Sequence, residues 1–257
     1  GILPDWMAVT LTDVAEVGVI NAINLSDGVN GLSSGYCITA CTMFGTLFYL
    51  SGDMKMTILA AVSVGALIPF FLHNVFGKTS KMFIGDGGTL VMGVVITVFV
   101  IETLRSGSSC GAYVEPRVGL VPFSLAVLCI PVFDTLRVMF SRILRGVSPF
   151  RPDKTHLHHM FINLGCSHAA VTLAIVALNT SVVLCWWGLT RLGVSIDVQL
   201  YAVVVMGFLV TFGLYHFMEW HLRRNTSFLR AVRRLGYRTH VSRRGVFLRM
   251  QHFLDRL

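Results

Sequence analysis

Three short polar segments interrupt an otherwise apolar chain of 257 residues. They are residues 21–35 (NAINLSDGVNGLSSG), 83–88 (FIGDGG) and 148–159 (SPFRPDKTHLHH), and each one follows the end of an apolar stretch. The packing of apolar helices requires none of the aspartate, asparagine and histidine side chains that gather here. The three segments are therefore the candidates for a binding or catalytic site.

The first two segments each place a carboxylate among glycines. Asp27 precedes Gly28, and Asp86 has a glycine on both sides. Glycine lets backbone N–H groups approach an anion closely, and Mg²⁺ commonly takes one or two carboxylates together with phosphate oxygens of a substrate. We therefore expect a magnesium and phosphate site, with Asp86 as the best candidate for the metal ligand. The alternatives are an ordinary turn at Asp27 and an N-cap by Asp86 for a helix starting near Thr89, and that cap is compatible with metal binding.

The third segment contains three histidines within four residues, close behind a lysine; these residues are Lys154, His156, His158 and His159. Zinc-binding helices favour histidines at positions i and i+4, and no cysteine or glutamate lies nearby to complete a ligand set. Imidazoles beside a lysine are better suited to recognising a diphosphate. A metal site and a solvated loop are the alternatives.

Other carboxylates lie inside the apolar stretches. Asp134 is near the end of one, where an intramembrane carboxylate is by default a functional candidate. A pair with Arg137, three residues further on, is an equally good structural account. Asp13 and Glu16 lie on one face of the first stretch, where they either line a cavity or belong to a segment packed against helices outside this chain.

Composition places the chain among membrane proteins, since mean hydropathy is +0.70 and only 13% of residues are charged. Apolar segments recur at lengths close to the ~20 residues needed to cross a bilayer. Five of the six cysteines lie in or next to these segments, and only Cys110 falls in an outside loop, so no disulfide framework is expected. We predict an all-α, polytopic helical bundle with about seven transmembrane helices, at residues 6–23, 36–51, 56–76, 88–104, 120–140, 169–189 and 198–217.

The distribution of basic residues predicts the orientation of this bundle. Seventeen of the 21 lysines and arginines lie in the connections after the first, third and fifth segments or in the tail. The positive-inside rule places those connections, and with them the three polar segments, in the cytoplasm. We expect residues 1–218 to form one multi-pass membrane domain and residues 219–257 a basic cytoplasmic tail.

The tail alternates arginine with apolar residues, which predicts amphipathic helices on the membrane surface; a solvated tail is the alternative. Attraction of this tail to anionic lipid head groups explains the net charge of +8. The basic charge therefore does not argue for a nucleic-acid partner.

The segments NAINLSDGVNGLSSG, FIGDGGTLVMG and IPVFDTLRVMFSRILRGVSPFRPDKTHLHH, in this order, resemble the polyprenyl-phosphate N-acetylhexosamine-1-phosphate transferase family, glycosyltransferase family 4. The resemblance covers residues 3–190 or so. It implies transfer of N-acetylhexosamine 1-phosphate from a UDP-sugar to undecaprenyl phosphate, with release of UMP, and with Mg²⁺ or Mn²⁺ as cofactor. It also implies a bacterial inner membrane protein that initiates a cell-surface polysaccharide, with membrane lipid around it and a possible homodimer. The histidine segment resembles the branch that uses UDP-GlcNAc, whereas the MurNAc-pentapeptide branch carries a different one.

The resemblance assigns roles to individual residues. Asp27 matches the first aspartate of the family's DGxDG motif, and Asn21 and Asn24 match the asparagines that precede it. Asp86 matches the aspartate placed on Mg²⁺, and Asn74 matches an asparagine ahead of that loop. The match to the motif linked to the nucleotide-sugar phosphates comprises His156, His158 and His159. We therefore expect the two aspartates to be catalytic and the other residues, with Lys154, to bind substrate.

The chain departs from the family pattern in two respects. Asn30 stands where many members carry the second aspartate, and the family's adjacent pair of aspartates is absent. The resemblance then predicts either an inactive homologue or a fragment that lacks N-terminal helices and is catalytically incompetent alone, although weak Mg²⁺-dependent UDP-sugar binding could survive. Outside the enzymes, the alternative is a multi-pass transporter or lipid-binding protein, for which an inverted repeat is expected and none is found.

Overall fold

The structure is a computed structural model that describes residues 4–114, 117–149, 155–240 and 245–256. All regular secondary structure in these ranges is helical, which confirms the predicted all-α fold. The helices are α1 (Asp5–Leu25), α2 (Leu32–Leu50), α3 (Met54–Phe76), α4 (Gly85–Leu104), α5 (Ser109–Tyr113), α6 (Leu120–Val127), α7 (Cys129–Leu144), α8 (Leu157–Asn163), α9 (His168–Arg191), α10 (Ile196–Phe208), a π-helical segment (Leu209–Gly213), α11 (Leu214–Arg224), α12 (Ser227–Arg238) and α13 (Val246–Leu254).

Five of these helices are long and apolar enough to cross a membrane, namely α1, α3, α4, α9 and the continuous run from α10 to α11. A sixth span forms if α6 and α7, which meet at an angle of 70°, are counted as one. All seven predicted segments thus lie on helices, but α2 has the length, at 19 residues, without the hydropathy. The chain is a multi-pass membrane protein, and the predicted count of seven exceeds by one what length and hydropathy support in the described ranges.

α2 buries a row of aromatic residues inside the bundle. It packs against α3, α4 and α9. Its Phe44 and Phe48 rings are fully buried and meet Phe99 of α4, with ring centroids 6.0 and 5.5 Å apart. Phe123 of α6 approaches Phe44 edge-on at 5.3 Å. Ser33 and Ser34 of α2 are buried, whereas Thr42 and Thr46 are exposed and donate their hydroxyls to backbone carbonyls one turn earlier.

At the bend between α6 and α7, two side chains from other helices bond to backbone groups on either side of the break. Tyr36 of α2 donates its hydroxyl to the carbonyl of Val127 at 2.9 Å. The Asn179 amide of α9 donates to the same carbonyl at 2.8 Å and accepts the N–H of Ile130 at 2.9 Å. A broken helix at membrane depth is tolerated only where such partners replace the lost bonds. The bend directs α7, with Asp134, toward the end of the bundle that carries the polar segments.

α1 is the most exposed of the candidate spans. It buries only Ala22 and Ile23, close to its C-terminal end. Asp13 is exposed and Glu16 half-buried on the remainder of this helix. Neither of these carboxylates lines the small cavity of about 30 Å³ beside Asp134, so this cavity does not support the alternative in which they face a cavity.

The basic tail is helical, as its alternation of arginine and apolar residues predicts. α11 runs through residue 219, the expected start of the tail, to Arg224, and α12 and α13 follow. Leu229 and Leu254 are buried, whereas the arginines of α12 point outward or are partly covered. Lipid contact by these helices stays a prediction.

All six cysteines are free thiols, which confirms that no disulfide framework exists. Cys110 lies in the connection between α4 and α6, as expected, but it is helical and buried rather than part of an open loop. This residue lies in the short helix α5 and is 1% exposed, with its sulfur 3.5 Å from the Ser51 hydroxyl. A reagent in solution would therefore not reach it readily.

Candidate functional site

The helices α1 and α4 pack closely and run antiparallel. A Cβ atom placed on Gly93 would lie 2.9 Å from the Cα atom of Ile20, so only glycine allows this approach. One turn further along, the Asn24 amide donates to the Thr89 hydroxyl at 2.7 Å. Ile20 contacts Gly93 and the later residue Asn24 contacts the earlier residue Thr89, so the two helices are antiparallel. These two contacts fix the register of the pair.

This register brings the two candidate catalytic aspartates to the same end of the helix pair. Asp27 lies three residues beyond Asn24, and Asp86 lies three residues before Thr89, at the same end of the helix pair. Both carboxylates are in exposed residues, and Asp27 accepts a hydrogen bond from the Ser33 hydroxyl at 2.9 Å. The first and second polar segments therefore share one face of the bundle, as the order of the crossings predicts.

The predicted N-cap role of Asp86 is wrong. α4 begins at Gly85 rather than near Thr89, and its N-cap position is Ile84. Asp86 lies inside the first turn, where unpaired backbone N–H groups and the helix dipole favour an anion. The early start depends on Gly85, whose φ of 64° is in the left-handed region that favours glycine.

The donor set at this end suits a magnesium ion that also binds a substrate. Mg²⁺ is bound through one or two carboxylates together with substrate phosphates and water. Asp27 and Asp86 supply two carboxylates, both open to solvent. Within the described part of the chain, no group of three or more His, Cys, Asp or Glu side chains is placed to hold a metal ion. The residues present therefore fit an ion that substrate oxygens complete.

Asn74 joins the first polar segment to the loop before Asp86. Its side-chain oxygen accepts the N–H of Gly31, and its amide donates to the carbonyl of Met82. Asn74 is 8% exposed, so these bonds are shielded from water. This geometry supports a positioning role, while the expected contact of Asn74 with substrate stays a prediction.

The asparagines of the first segment differ in their environment. Asn21 is exposed on α1, one turn before Asn24, which bonds to α4. Asn30 is held through its backbone, because its N–H donates to His168 Nδ1 at 3.1 Å and its carbonyl accepts the Thr172 hydroxyl at 2.9 Å. The first polar segment is thus attached to α4 through Asn24 and to α9 through Asn30.

Asp134 organises the start of the histidine segment. Its Oδ1 accepts Arg137 Nη2 at 2.7 Å and Nε at 3.1 Å, which confirms the expected pairing of these two residues. Its Oδ2 accepts His156 Nδ1 at 2.9 Å, and the first N–H of α8, from Leu157, lies 3.2 Å from both oxygens. Arg137 also donates to the carbonyl of Thr155 at 2.6 Å. The sequence gives no signal for the bond between Asp134 and His156, since the two residues are 22 positions apart.

The three histidines lie against each other. The rings of His156 and His158 are parallel within 7° at a centroid distance of 5.7 Å, and those of His158 and His159 are 4.3 Å apart. Burial of His158, helped by its two histidine neighbours, lowers its pKa to about 3. His158 is therefore a neutral hydrogen-bonding group at physiological pH. Lys154 lies outside the described residues.

The histidines and the first polar segment meet at Gly28. A Cβ atom placed on Gly28 would lie 2.6 Å from His158 Nε2, so the glycine leaves the space that this ring occupies. His158 is 4% exposed and has little room to move away. All three polar segments thus converge, through Gly28 to the histidines and through Asn24 to α4.

A cavity of about 30 Å³ lies beneath this junction, which is room for one or two water molecules. A ligand the size of a nucleotide sugar cannot enter it. Such a ligand would have to bind on the open side, where Asp27 and Asp86 are exposed. The polar residues that line the cavity are Ser26, Tyr36, Asp134, Thr135, His156 and His158.

Comparison with known proteins agrees with the resemblance drawn from the motifs. Residues 2–104 match the model of glycosyl transferase family 4. The undecaprenyl-phosphate alpha-N-acetylglucosaminyl 1-phosphate transferase of Escherichia coli (strain K12) is 26% identical over 229 residues, which is 87% of this chain and 58% of that protein. The probable undecaprenyl-phosphate N-acetylglucosaminyl 1-phosphate transferase of Bacillus subtilis (strain 168) is 31% identical over 170 residues, 66% of this chain and 45% of that protein.

The chain is similar to glycosyl transferase family 4 over residues 2–104, and to these two transferases over a larger part of its length.

The chain spans less than two thirds of the length of each of these two relatives. The region matched by the family model contains Asp27, Asn74 and Asp86 and ends before the histidines. The similarity to the Escherichia coli protein extends further along the chain. No solved structure matches the chain.

Proposed function

We propose that this chain is part of a family 4 transferase, which transfers N-acetylhexosamine 1-phosphate, with N-acetylglucosamine as the sugar, from a UDP-sugar to undecaprenyl phosphate, and that UMP leaves. The observation that carries the proposal is the convergence of three polar segments at one end of a membrane bundle. Asp27 and Asp86 lie at the same end of the α1–α4 pair, and Gly28 contacts His158. The names of the relatives supply the lipid acceptor and the transferred group. Such a step would begin a cell-surface polysaccharide.

The two aspartates would hold Mg²⁺, or Mn²⁺ in its place, between them and the donor diphosphate. When bound, the ion supplies neutralisation of the diphosphate oxygens, which phosphoryl transfer requires. Asp86 stands in the first turn of α4, so the backbone N–H groups there also face the anion. Asp27 is kept in place by Ser33 and by the contact of α1 with α4.

Of the three histidines, the half-buried His159 would contact the diphosphate, and the buried His156 and His158 would position His159. The Asp134 carboxylate accepts the Nδ1 proton of His156, which fixes that ring. His158 is neutral and buried, so it adds no charge beside the ligand. Lys154 would add a positive charge close to these groups.

The transfer needs the lipid phosphate beside this surface. An oxygen of undecaprenyl phosphate would attack the β-phosphorus of the UDP-sugar, and the bond from that phosphorus to the bridging oxygen would break, leaving its electron pair on UMP. In-line attack requires the reacting atoms to be held about 3–3.5 Å apart. The place of the site at the end of membrane helices suits an acceptor whose tail stays in the bilayer.

We further propose that the site and the tail face the cytoplasm of a bacterial inner membrane. The basic residues of the connections and the tail support this orientation. Since Cys110 is buried, introduced cysteines are the better probes on a cysteine-free background. A membrane-impermeant maleimide should label Tyr113→Cys and Leu192→Cys in intact cells, and Leu144→Cys and Val246→Cys only after permeabilisation; the four native side chains are between 52% and 79% exposed. The reverse pattern would contradict the orientation.

Gly28→Ala tests the junction between the first segment and the histidines. The added methyl group would meet His158 Nε2 at 2.6 Å and displace a ring that is 4% exposed. We expect kcat/KM for the UDP-sugar to fall at least about tenfold, a loss of about 1.4 kcal/mol of transition-state binding. Gly18→Ala on α1 is the matched control, because nothing lies within 4 Å of its Cβ position. Equal activity of the two variants would show that the contact with His158 is unimportant.

A donor comparison tests the function itself. Membranes containing the complete gene product should release UMP from UDP-GlcNAc when undecaprenyl phosphate and Mg²⁺ are supplied. Release should be slower with UDP-GalNAc and absent with UDP-MurNAc-pentapeptide, because the histidine segment differs from that of the pentapeptide branch. Turnover of the pentapeptide donor alone would move the protein to the other branch of the family. UMP release from none of the three would reject the proposal.

A further inference from the structure

The loop between α3 and α4 closes around a carboxylate from the far end of the chain. The backbone N–H groups of Lys78, Thr79 and Ser80 donate to Asp255 Oδ1 at 3.0, 3.1 and 3.1 Å. The Ser80 hydroxyl donates to the same oxygen at 2.9 Å. Consecutive N–H groups that converge on an anion form a nest. These bonds hold the pKa of the Asp255 carboxyl well below its usual range.

A second contact holds the helix that carries this carboxylate. Asp255 directly follows α13, which packs against α3. The rings of Phe247 on α13 and Phe76 on α3 are 4.8 Å apart. Leu254, next to the aspartate, is 4% exposed. α13 is thus attached to the membrane bundle at both of its ends.

The preceding tail helix is seated on the histidine side of the site. A Cβ atom on Gly236 of α12 would lie 2.7 Å from the carbonyl oxygen of Leu164, directly after α8, so the helix backbone touches this turn. Thr239 accepts the N–H of Ser167 at 2.9 Å through its hydroxyl. The Tyr237 ring covers the same turn, since it lies 3.1 Å from the Cβ position of Gly165.

We propose that residues 226–240 and 245–256 form a strap that holds both halves of the site, and that Asp255 is the positioning residue for the loop leading to Asp86. Asp255 fixes Lys78–Ser80, and Asp86 lies six residues beyond Ser80. That loop carries no regular helix or strand of its own between α3 and α4. His73 Nδ1 also lies 3.2 Å from the Ser80 hydroxyl of this loop, and the Asn74 amide donates to the Met82 carbonyl. The Asp255 carboxylate therefore fixes the start of the loop, Asn74 fixes its middle, and both restrain the position of Asp86. What the site does rests on the proposed function.

Hydrogen exchange of the loop tests the strap without any assay of activity. In the complete protein in lipid nanodiscs, Asp255→Ala should raise the exchange rates of the amides at residues 78–80 at least about tenfold, since each loses its acceptor. Asp255→Asn should give exchange rates between those of the wild-type protein and Asp255→Ala, because an amide oxygen accepts hydrogen bonds but carries no charge. Phe247→Ala should accelerate the same amides although the carboxylate is kept. Asp197→Ala, in the exposed first turn of α10, is the control and should leave them unchanged.

The titration of Mn²⁺, followed by electron paramagnetic resonance, shows whether this restraint reaches Asp86. We expect a several-fold weaker apparent affinity in Asp255→Ala and Phe247→Ala, with the number of bound ions kept. Unchanged amide exchange in both variants would overturn the strap, and faster exchange with unchanged Mn²⁺ affinity would overturn the positioning role. Absence of Mn²⁺ binding in the wild-type protein would contradict the proposed metal site, and the exchange rates would still decide whether the strap exists.

Discussion

Asp86→Asn is expected to lower turnover by at least about 10³-fold while the protein stays folded. A neutral amide binds Mg²⁺ far more weakly than a carboxylate does, and the loss of several kcal/mol of charge stabilisation corresponds to a factor of this size. Asp86 is exposed in the first turn of α4, so the substitution buries nothing and leaves no charge unpaired. UMP release at saturating Mg²⁺ measures the effect, and unchanged thermal unfolding shows that the fold is kept.

Asp197→Asn is the matched control for this variant. Asp197 is also an exposed aspartate in the first turn of a membrane helix, α10. Its replacement should leave UMP release unchanged. Near-normal activity of Asp86→Asn would show that another carboxylate holds the metal. Asp27, at the same end of the α1–α4 pair as Asp86, would then be the candidate.

Asp134→Ala is expected to destabilise the protein by ~3–5 kcal/mol, the cost of leaving a buried charge without its partner. The Arg137 side chain is 3% exposed and would lose both of its bonds to the carboxylate. The start of α8 would lose an acceptor at Leu157, and His156 would lose the group that orients it. We therefore expect a lower midpoint of thermal unfolding and a loss of UMP release together.

A double substitution separates these two effects. Replacing a buried ion pair by apolar residues of similar volume is often neutral for stability. Asp134→Val with Arg137→Met should therefore recover much of the unfolding midpoint, but not the activity, because His156 is still without its carboxylate. Recovery of activity in the double variant would show that Asp134 serves only to neutralise Arg137.

Hydropathy predicts most of the fold, because a helix that crosses a bilayer must be apolar over ~20 residues. It does not reveal the packing of α2, whose Phe44 and Phe48 side chains are fully buried although the helix is less apolar than the other spans. The bend before α7 was also hidden. It depends on Asn179, which replaces backbone bonds at Val127 and Ile130 from about 50 residues away in sequence.

The site was predictable as a set of residues but not as an arrangement. Counting the crossings places Asp27, Asp86 and the histidines on one face, which the structure confirms. The two aspartates share one end of the α1–α4 pair because α1 approaches α4 closely at Gly93. This approach depends on how the helices pack and is not visible in the sequence. The strap by Asp255 depends on backbone N–H groups, which every residue type except proline carries, so no pattern of side chains could indicate it.

The fate of the β-phosphorus of the donor is the most direct test of the proposed transfer. Membranes containing the complete gene product are supplied with undecaprenyl phosphate, Mg²⁺ and UDP-GlcNAc labelled with ³²P at the β-position. Transfer of the sugar 1-phosphate predicts label in the lipid fraction, joined to GlcNAc, with unlabelled UMP in the aqueous fraction. The Asp86→Asn protein should leave all label in UDP-GlcNAc. Label in released UDP, with the sugar alone on the lipid, would contradict the account.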